Sequence, residues 1–386
     1  MNKTSIYTRD FILLILATFL FFSSFYLIMP ILPLYVKEQG GFTIEVGLVV
    51  GAFALSSTVF RFLVGGSIDK KGRKRFLLLG AANFSLSALL YNLLPTTNFL
   101  LLLRLFHGIG IACYTTSSIT LAADLAPRGR RGETLGVYGV AQILAMALAP
   151  ALGTFVHHQT NYRTAFSLGA VAALASWLLV IRMVEPPRET ASTAVNGFWS
   201  EMKAMELWSP YVCILMIAIT YGLMVTFLPL LALERGITSS YIGLFFTFYA
   251  VATFSLRLIA GKASDRFGRR VVLIPALLTL SLAMVAIGQI HTVGWMLLSA
   301  LLYGVGFGTT SPTLMALMVD QTHPQHRGAA VGLYAASFES GVIIGSVLLG
   351  LVGQTWGLTF MFWFGAVLVL LGLIPIVTYK QQAFSS

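Results

Sequence analysis

The apolar residues of this chain fall into twelve blocks of about 20 residues or more, the length an α-helix needs to cross a hydrocarbon layer of about 30 Å. Inside lipid only helices and closed barrels satisfy their own backbone groups. A barrel would show short segments of alternating hydropathy instead, so the expected fold is an all-α integral membrane protein. Composition agrees. Only 10% of the 386 residues are charged and 57% are hydrophobic, whereas soluble domains carry about 25% charged residues. A soluble enzyme, a nucleic-acid binder and a disordered chain are thereby excluded. The two cysteines, Cys113 and Cys213, both lie inside apolar blocks and suggest neither a disulfide framework nor a metal site.

The blocks are Phe11–Val36, Glu45–Gly65, Phe76–Pro95, Asn98–Ala123, Glu133–Val156, Thr164–Val184, Ser209–Ala232, Ser240–Gly261, Val271–His291, Gly294–Val319, Ala329–Gln354 and Thr359–Tyr379. The first is too long for a signal-peptide core of about 7–15 residues and reads as an uncleaved helix. The longest polar interruption, Glu185–Leu207, reads as a linker, with a short amphipathic helix expected near Trp199–Leu207. Residues 1–184 and 209–386 are then two six-helix bundles, joined by 185–208. An even number of spans puts both termini on one side. Nineteen Lys and Arg residues fall on that side and three (Lys37, Arg163 and Arg235) on the other. The positive-inside rule makes the side with the termini cytoplasmic. The net charge of +11 is thus a topology signal and not a nucleic-acid footprint.

The second half repeats the first at an offset of 196 residues. Pro33 meets Pro229, Glu38 meets Glu234, Gly40 meets Gly236, Arg61 meets Arg257, Asp124 meets Asp320, Arg131 meets Arg327 and Tyr138 meets Tyr334. Six-helix halves repeated in parallel are a transporter arrangement. Within the repeat the loop after span 2 reads Gly65-Gly66-Ser67-Ile68-Asp69-Lys70-Lys71-Gly72-Arg73-Lys74-Arg75. The loop after span 8 reads Gly261-Lys262-Ala263-Ser264-Asp265-Arg266-Phe267-Gly268-Arg269-Arg270. Gly65 and Gly261 are expected to let a neighbouring helix approach, and Gly72 and Gly268 to permit a tight turn. Asp69 and Asp265 can face the positive end of a helix dipole. A basic topogenic loop would explain the arginines but not the fixed Asp and Gly positions.

These loops and the whole-chain duplication resemble the major facilitator superfamily. That resemblance implies a secondary transporter, a bundle pair working by alternating access, and a gate. In it Asp69 would meet the start of span 11 near Ala329 and Asp265 the start of span 5 near Glu133, with Arg73 and Arg269 as further gating residues. The run Arg104-Leu105-Phe106-His107-Gly108 in span 4 resembles the arginine motif of the drug:proton antiporter branch, with His107 where that motif usually has Gln. In span 5, Ala145-Met146-Ala147-Leu148-Ala149-Pro150-Ala151-Leu152-Gly153 matches the exporter pattern only in part, since Ala stands at both leading Gly positions.

Intramembrane charges normally face protein or water, which singles out Arg104 and Glu339. The repeat partner of Arg104 is Ala300, so the arginine is not general scaffolding. Glu339 is the one acid deep in a span, about 15 Å along span 11 at 1.5 Å per residue. Either residue could equally be a structural charge tied to its neighbours. The resemblance places spans 1, 4, 7 and 10 around a central cavity, which makes Tyr26, Tyr114, Tyr221 and Tyr303 candidate cargo contacts beside His107, although ordinary helix packing also uses such residues. Arg61 and Arg257, near the ends of their spans, can snorkel.

The expected activity is proton-coupled export of small amphipathic organic molecules from a monomeric carrier in the cell membrane, with no cofactor and no metal. A sugar-type or metabolite carrier, or a flippase for lipid-like substrates, is the alternative within transport. A membrane enzyme or receptor is disfavoured. An enzyme needs clustered catalytic groups that are not evident, and a receptor has no use for a duplicated gating loop.

Overall fold

A peptide group in lipid has no water to bond, so the chain must pair its backbone locally. Every regular element among the described residues is accordingly a helix. A computed structural model describes residues 5–93, 96–127, 129–186, 208–322 and 327–378. The first half comprises α1 (Arg9–Ile28), α2 (Ile31–Glu38), α3 (Thr43–Lys71), α4 (Arg73–Leu90), α5 (Thr97–Asp124), α6 (Arg131–Gln159) and α7 (Tyr162–Ile181). The second comprises α8 (Trp208–Glu234), α9 (Ser239–Phe267), α10 (Arg269–Gly288), α11 (Val293–Asp320), α12 (Arg327–Trp356) and α13 (Leu358–Thr378). The first span is broken at Pro30 into α1 and α2, because proline removes a backbone donor and crowds the preceding turn. With α1 and α2 counted as one, the described helices make twelve spans.

Eleven of the twelve are long and apolar enough to cross a membrane. The exception is α4, only 18 residues long and opening on Arg73, Lys74 and Arg75. Sequence boundaries at Gly65 and Gly261 fell short. α3 runs on to Lys71 and α9 to Phe267, because polarity ends a membrane block without ending a helix. Single glycines in a left-handed conformation then turn the chain, Gly72 at φ 102° and Gly268 at φ 93°. Only a residue without Cβ adopts such angles at little cost. The next repeat pair, Gly40 and Gly236, also has positive φ, 85° and 75°. The amphipathic helix expected at Trp199–Leu207 lies outside the described residues.

Some helix starts are capped by side chains, as orphan backbone donors require. Thr8 Oγ1 accepts from the Phe11 amide at 3.3 Å, Asn161 Oδ1 from the Thr164 amide at 3.0 Å, and Thr292 Oγ1 from the Trp295 amide at 3.2 Å.

The chain divides into two compact units, Met1–Thr190 with Ala232–Thr247, and Ala191–Leu231 with Phe248–Ser386. In the first unit α1 packs on α6 and α7, α5 on α3 and α4, and α4 on α7. Its core holds Phe21, Phe53, Phe84 and Tyr114. The segment from Ala232 to Thr247 is grouped with this unit. Gly243 lies against Pro150, Ala151 and Thr154, and the Thr247 hydroxyl donates to the Ala147 carbonyl at 2.5 Å. In the second unit α10 packs on α11 and on α13, repeating the α4–α5 and α4–α7 pairings.

Helix association in lipid gains little from hydrophobicity and relies on close packing at small residues. The close approaches are not where the loop motif suggested. A Cβ on Gly65 or Gly261 would meet nothing within 4 Å, so neither glycine admits a neighbour. Contact instead falls on glycines buried in the spans. Gly108 faces Phe53, Ser56 and Ser57, and its repeat partner Gly304 faces Tyr249, Ala252 and Thr253. On α6 the contact is at Gly153, against the Leu27 backbone. On α12 it is at Gly341 and Gly345, against Leu215, Ala218 and Ile219 on α8.

Candidate functional site

The charged motif of α5 folds into a buried polar cluster. Arg104 and His107 are three residues apart and share a helix face. Arg104 is only 5% exposed. Its Nε donates to the Val49 carbonyl at 3.3 Å, and its guanidinium carbon lies 4.2 Å from the centre of the Phe53 ring. That is within range of cation–π attraction. His107 is fully buried, with Nδ1 3.0 Å from the Tyr91 hydroxyl and the Phe84 ring centroid 4.1 Å away. Its Nε2 has no hydrogen-bond partner among the described residues. When Tyr91 donates to Nδ1, the imidazole proton resides on Nε2. When the tautomer reverses, the phenol oxygen accepts.

Tyr91 and Phe53 belong to this site and were not singled out by sequence. Neither lies on α5, and no spacing rule links residue 91 to residues 104 and 107. Only the packing of α3 and the end of α4 against α5 brings them together.

Tyr114 and Tyr26 also lie in the first unit. Tyr114 is fully buried, stacked on Phe21 at 3.7 Å between ring centres. Its hydroxyl is 3.3 Å from Ser176 Oγ, which in turn donates to the Ala17 carbonyl at 2.8 Å. Tyr26 is 5% exposed and hydrogen-bonds Gln142. Both are held by packing and neighbouring polar groups, and neither forms part of the Arg104 cluster.

In the second unit Tyr221, Tyr249, Tyr303, Phe307 and Phe338 form one aromatic group. Tyr221 lies 5.5 Å from Phe307 and from Phe338. Tyr303 is fully buried, its hydroxyl 3.2 Å from Thr220 Oγ1. Glu339 follows Phe338 in mid-α12 and is half-buried. Tyr303 occupies the repeat position of His107, and Tyr249 that of Phe53. The edge-to-face pair Phe53–His107, 5.4 Å between centres, therefore recurs as Tyr249–Tyr303, 5.6 Å between centres. Each unit presents an aromatic–polar pair at the same place, while the cation Arg104 is confined to the first.

The duplicated loops make a second kind of site. Arg73 Nε lies 3.0 Å from Asp124 Oδ2, joining the start of α4 to the end of α5. Arg269 Nε lies 2.9 Å from Asp320 Oδ2, joining α10 to α11 in the same way. In the first unit Glu185 accepts from the Arg73 and Lys74 amides at 2.9 and 3.4 Å, and Lys74 Nζ donates to the carbonyls of Ile181 and Met183. In the second, Asp265 is paired with Arg269, and its side chain is 67% exposed. The Asp69 side chain and those of Arg327 and Ala329 lie outside the described residues. Asp10, near the chain start, accepts from the Val184 amide at 2.9 Å.

With this geometry in view, comparison with known proteins adds the lineage. A family model described as Major Facilitator Superfamily matches residues 14–231 and 210–383. The chain is 25% identical over 362 residues to an uncharacterised MFS-type transporter of Methanocaldococcus jannaschii, covering 92% of this chain and 93% of the relative. It is 24% identical over 382 residues to Multidrug resistance protein 1 of Bacillus subtilis, covering 97% and 98%. Among solved structures, the nucleoside transporter NupG superposes with a TM-score of 0.84 over 96% of this chain and 100% of that one, at 13% identity. At that identity the superposition speaks for the fold alone.

Proposed function

The chain belongs to the Major Facilitator Superfamily, and from that premise we propose that it is a proton-coupled exporter of small amphipathic organic molecules. The family is one of membrane transporters and not an enzyme class. Similarity over nearly the full length to a multidrug resistance protein supports export of lipophilic cargo. The observation that carries the reading is the aromatic group of the second unit, in which part-buried Tyr221 lies 5.5 Å from Phe307 and from Phe338, the residue beside Glu339. Aromatic faces supply adaptable apolar contact, and a span region with few charges suits amphipathic molecules better than highly charged ones.

In this reading residues 1–184 and 209–386 are the two bundles of an alternating-access carrier, with 185–208 as the linker and both termini cytoplasmic. The carrier is a monomer of the cell membrane. Tyr221 and Phe338 contact cargo, while Tyr26, Tyr114 and Tyr303 shape the walls behind it. Glu339 takes up and releases the coupling proton. A carboxylate within the membrane must be protonated or compensated, and exchange requires a group that is neutral in one step and charged in another. Arg104 and His107 are too buried in this conformation to offer surface to cargo, so they are assigned to coupling. Asp69 and Asp265, with Arg73 and Arg269, stabilise the state closed to the cytoplasm.

The test is transport in proteoliposomes with an imposed pH gradient, using lipophilic drug-like dyes alongside nucleosides and sugars. Uphill movement of the dyes with counterflow of protons is expected. Glu339→Gln should retain dye binding and lose dependence on the gradient. Gradient-dependent uptake of nucleosides or sugars instead would establish a metabolite carrier. Unchanged pH dependence in Glu339→Gln would make that residue structural.

A further inference from the structure

At the loop-bearing end of the second unit is a cavity of about 480 Å³ that the transport reading does not use. Its wall includes Arg257, Arg269, Asp320 and Tyr334, with Pro312, Met315, Ala316 and Val319 as the apolar side. The two arginines differ. Arg269 is engaged by Asp320 at 2.9 Å, by Ser264 Oγ at 2.7 Å and by Asp265. Arg257 makes no hydrogen bond or ion pair with any described residue. Asp320 lines the cavity too, but its charge is matched by Arg269, so among the described residues Arg257 is the one uncompensated charge on the wall.

Beside it, the Tyr334 hydroxyl donates to the Ser311 carbonyl at 3.1 Å and lies 2.9 Å from Ser311 Oγ. That geometry holds the phenol in place and leaves the Ser311 hydroxyl hydrogen to choose between Tyr334 and an incoming acceptor. The volume lies within the range of about 300–1,000 Å³ typical of pockets for small organic molecules, and is larger than an inorganic anion needs. A guanidinium can hold an oxyanion with two parallel N–H donors, and methionine adapts to varied apolar shapes.

We propose that this cavity binds an amphipathic anion, its single oxyanion group on Arg257 and Ser311 and its apolar body against Pro312, Met315, Ala316 and Val319. The anion is either a soluble organic acid or the phosphate end of a bilayer lipid, which offers the same chemistry. The site is a binding site whether or not its occupant is the transported cargo.

Equilibrium binding of 2-naphthoate and of its uncharged isostere 2-naphthamide to the full-length protein in phosphatidylcholine nanodiscs tests this, by calorimetry. Naphthoate should bind about tenfold more tightly than the amide, as a charge-assisted hydrogen bond provides. Arg257→Gln should remove that preference and leave amide binding unchanged, while Arg257→Lys should restore part of it. The Lys variant keeps the test valid if the Gln variant folds poorly. Repeating the titration with phosphatidylglycerol in the disc separates the sources. Weaker naphthoate binding in those discs, with no difference between the two lipids in Arg257→Gln, identifies the lipid, and undiminished binding identifies the soluble acid. Equal affinity for the two probes, no binding of either, or a preference that survives Arg257→Gln would overturn the proposal. Since the readout is binding, it stands or falls separately from transport.

Discussion

Arg73 and Asp124 form an ion pair, 3.0 Å from Nε to Oδ2, that ties the start of α4 to the end of α5. The pair reappears 196 residues later as Arg269 and Asp320, 2.9 Å apart. The two copies differ in burial. The Arg73 side chain is 8% exposed and that of Asp124 32%, against 21% and 53% for Arg269 and Asp320.

Breaking the first copy should therefore cost more. Asp124→Asn leaves a nearly buried guanidinium short of its carboxylate and is expected to destabilise by about 1–3 kcal/mol, less than a fully buried pair because Asp124 is part-exposed. Asp320→Asn should cost under about 1 kcal/mol, as exposed pairs do, since Arg269 keeps Asp265. Thermal unfolding in detergent would check the order. Equal losses would mean that burial does not govern these pairs.

Glycines that look alike in sequence should respond differently to Ala. At Gly153 a Cβ would run into the Leu27 backbone, and backbone cannot rotate aside. Gly153→Ala is expected to cost about 1–3 kcal/mol, the usual range for overpacking, with lower yield of monodisperse protein. Gly136→Ala and Gly332→Ala, with nothing within 4 Å, should be neutral or slightly stabilising. Fluorescence-detected size-exclusion profiles at stepped temperatures would show the difference.

Tyr91→Phe removes the hydroxyl beside His107 Nδ1. Both residues are fully buried, so the imidazole loses its partner without gaining water. The expected loss is about 1–3 kcal/mol for an orphaned buried polar group. Tyr303→Phe leaves Thr220 Oγ1 its bond to the Ile217 carbonyl, 2.7 Å, and should cost only about 0.5–1.5 kcal/mol. Should the Arg104 cluster take part in coupling, Tyr91→Phe will also shift the pH dependence of transport per folded molecule, whereas Tyr303→Phe will not. Melting curves and proteoliposome assays on the same preparations separate the two effects.

Asp265→Asn tests the gating role of the loops. With its side chain 67% exposed, stability should change by no more than about 1 kcal/mol. Transport should fall all the same, with faster labelling of single cysteines introduced along the cytoplasmic vestibule. Full transport with unchanged labelling would reduce the loop to a topology signal.

The transmembrane character, the span count and the two-fold repeat were legible because they rest on local rules. Lipid thickness sets block length, and duplication keeps residues at a fixed offset. Gly72 and Gly268 were readable for the same reason, as a turn needing positive φ is a property of one residue. The helix ends were not, because charged residues such as Lys71 and Arg266 end an apolar block while the backbone continues its hydrogen bonds. Nor were the close helix contacts. The sequence motif highlights Gly65 and Gly261, yet which glycines touch a neighbour depends on the rotation of each helix about its axis.

The same division runs through the candidate site. Arg104, His107 and Glu339 could be found one by one, since a charged or polar group in an apolar span is conspicuous by cost alone. Tyr91, Phe53 and Val49 could not, because they join Arg104 and His107 only across α3 and α4. By itself the sequence determined a twelve-span membrane chain, its internal repeat and the identity of its few intramembrane charges. Tertiary structure decided which charges are paired, which aromatic faces they meet and that, among the described residues, Arg269 is held by carboxylates while Arg257 is not. Lipid acts on each segment separately and can be read along the chain, whereas partners are chosen by side-chain packing between segments far apart in sequence.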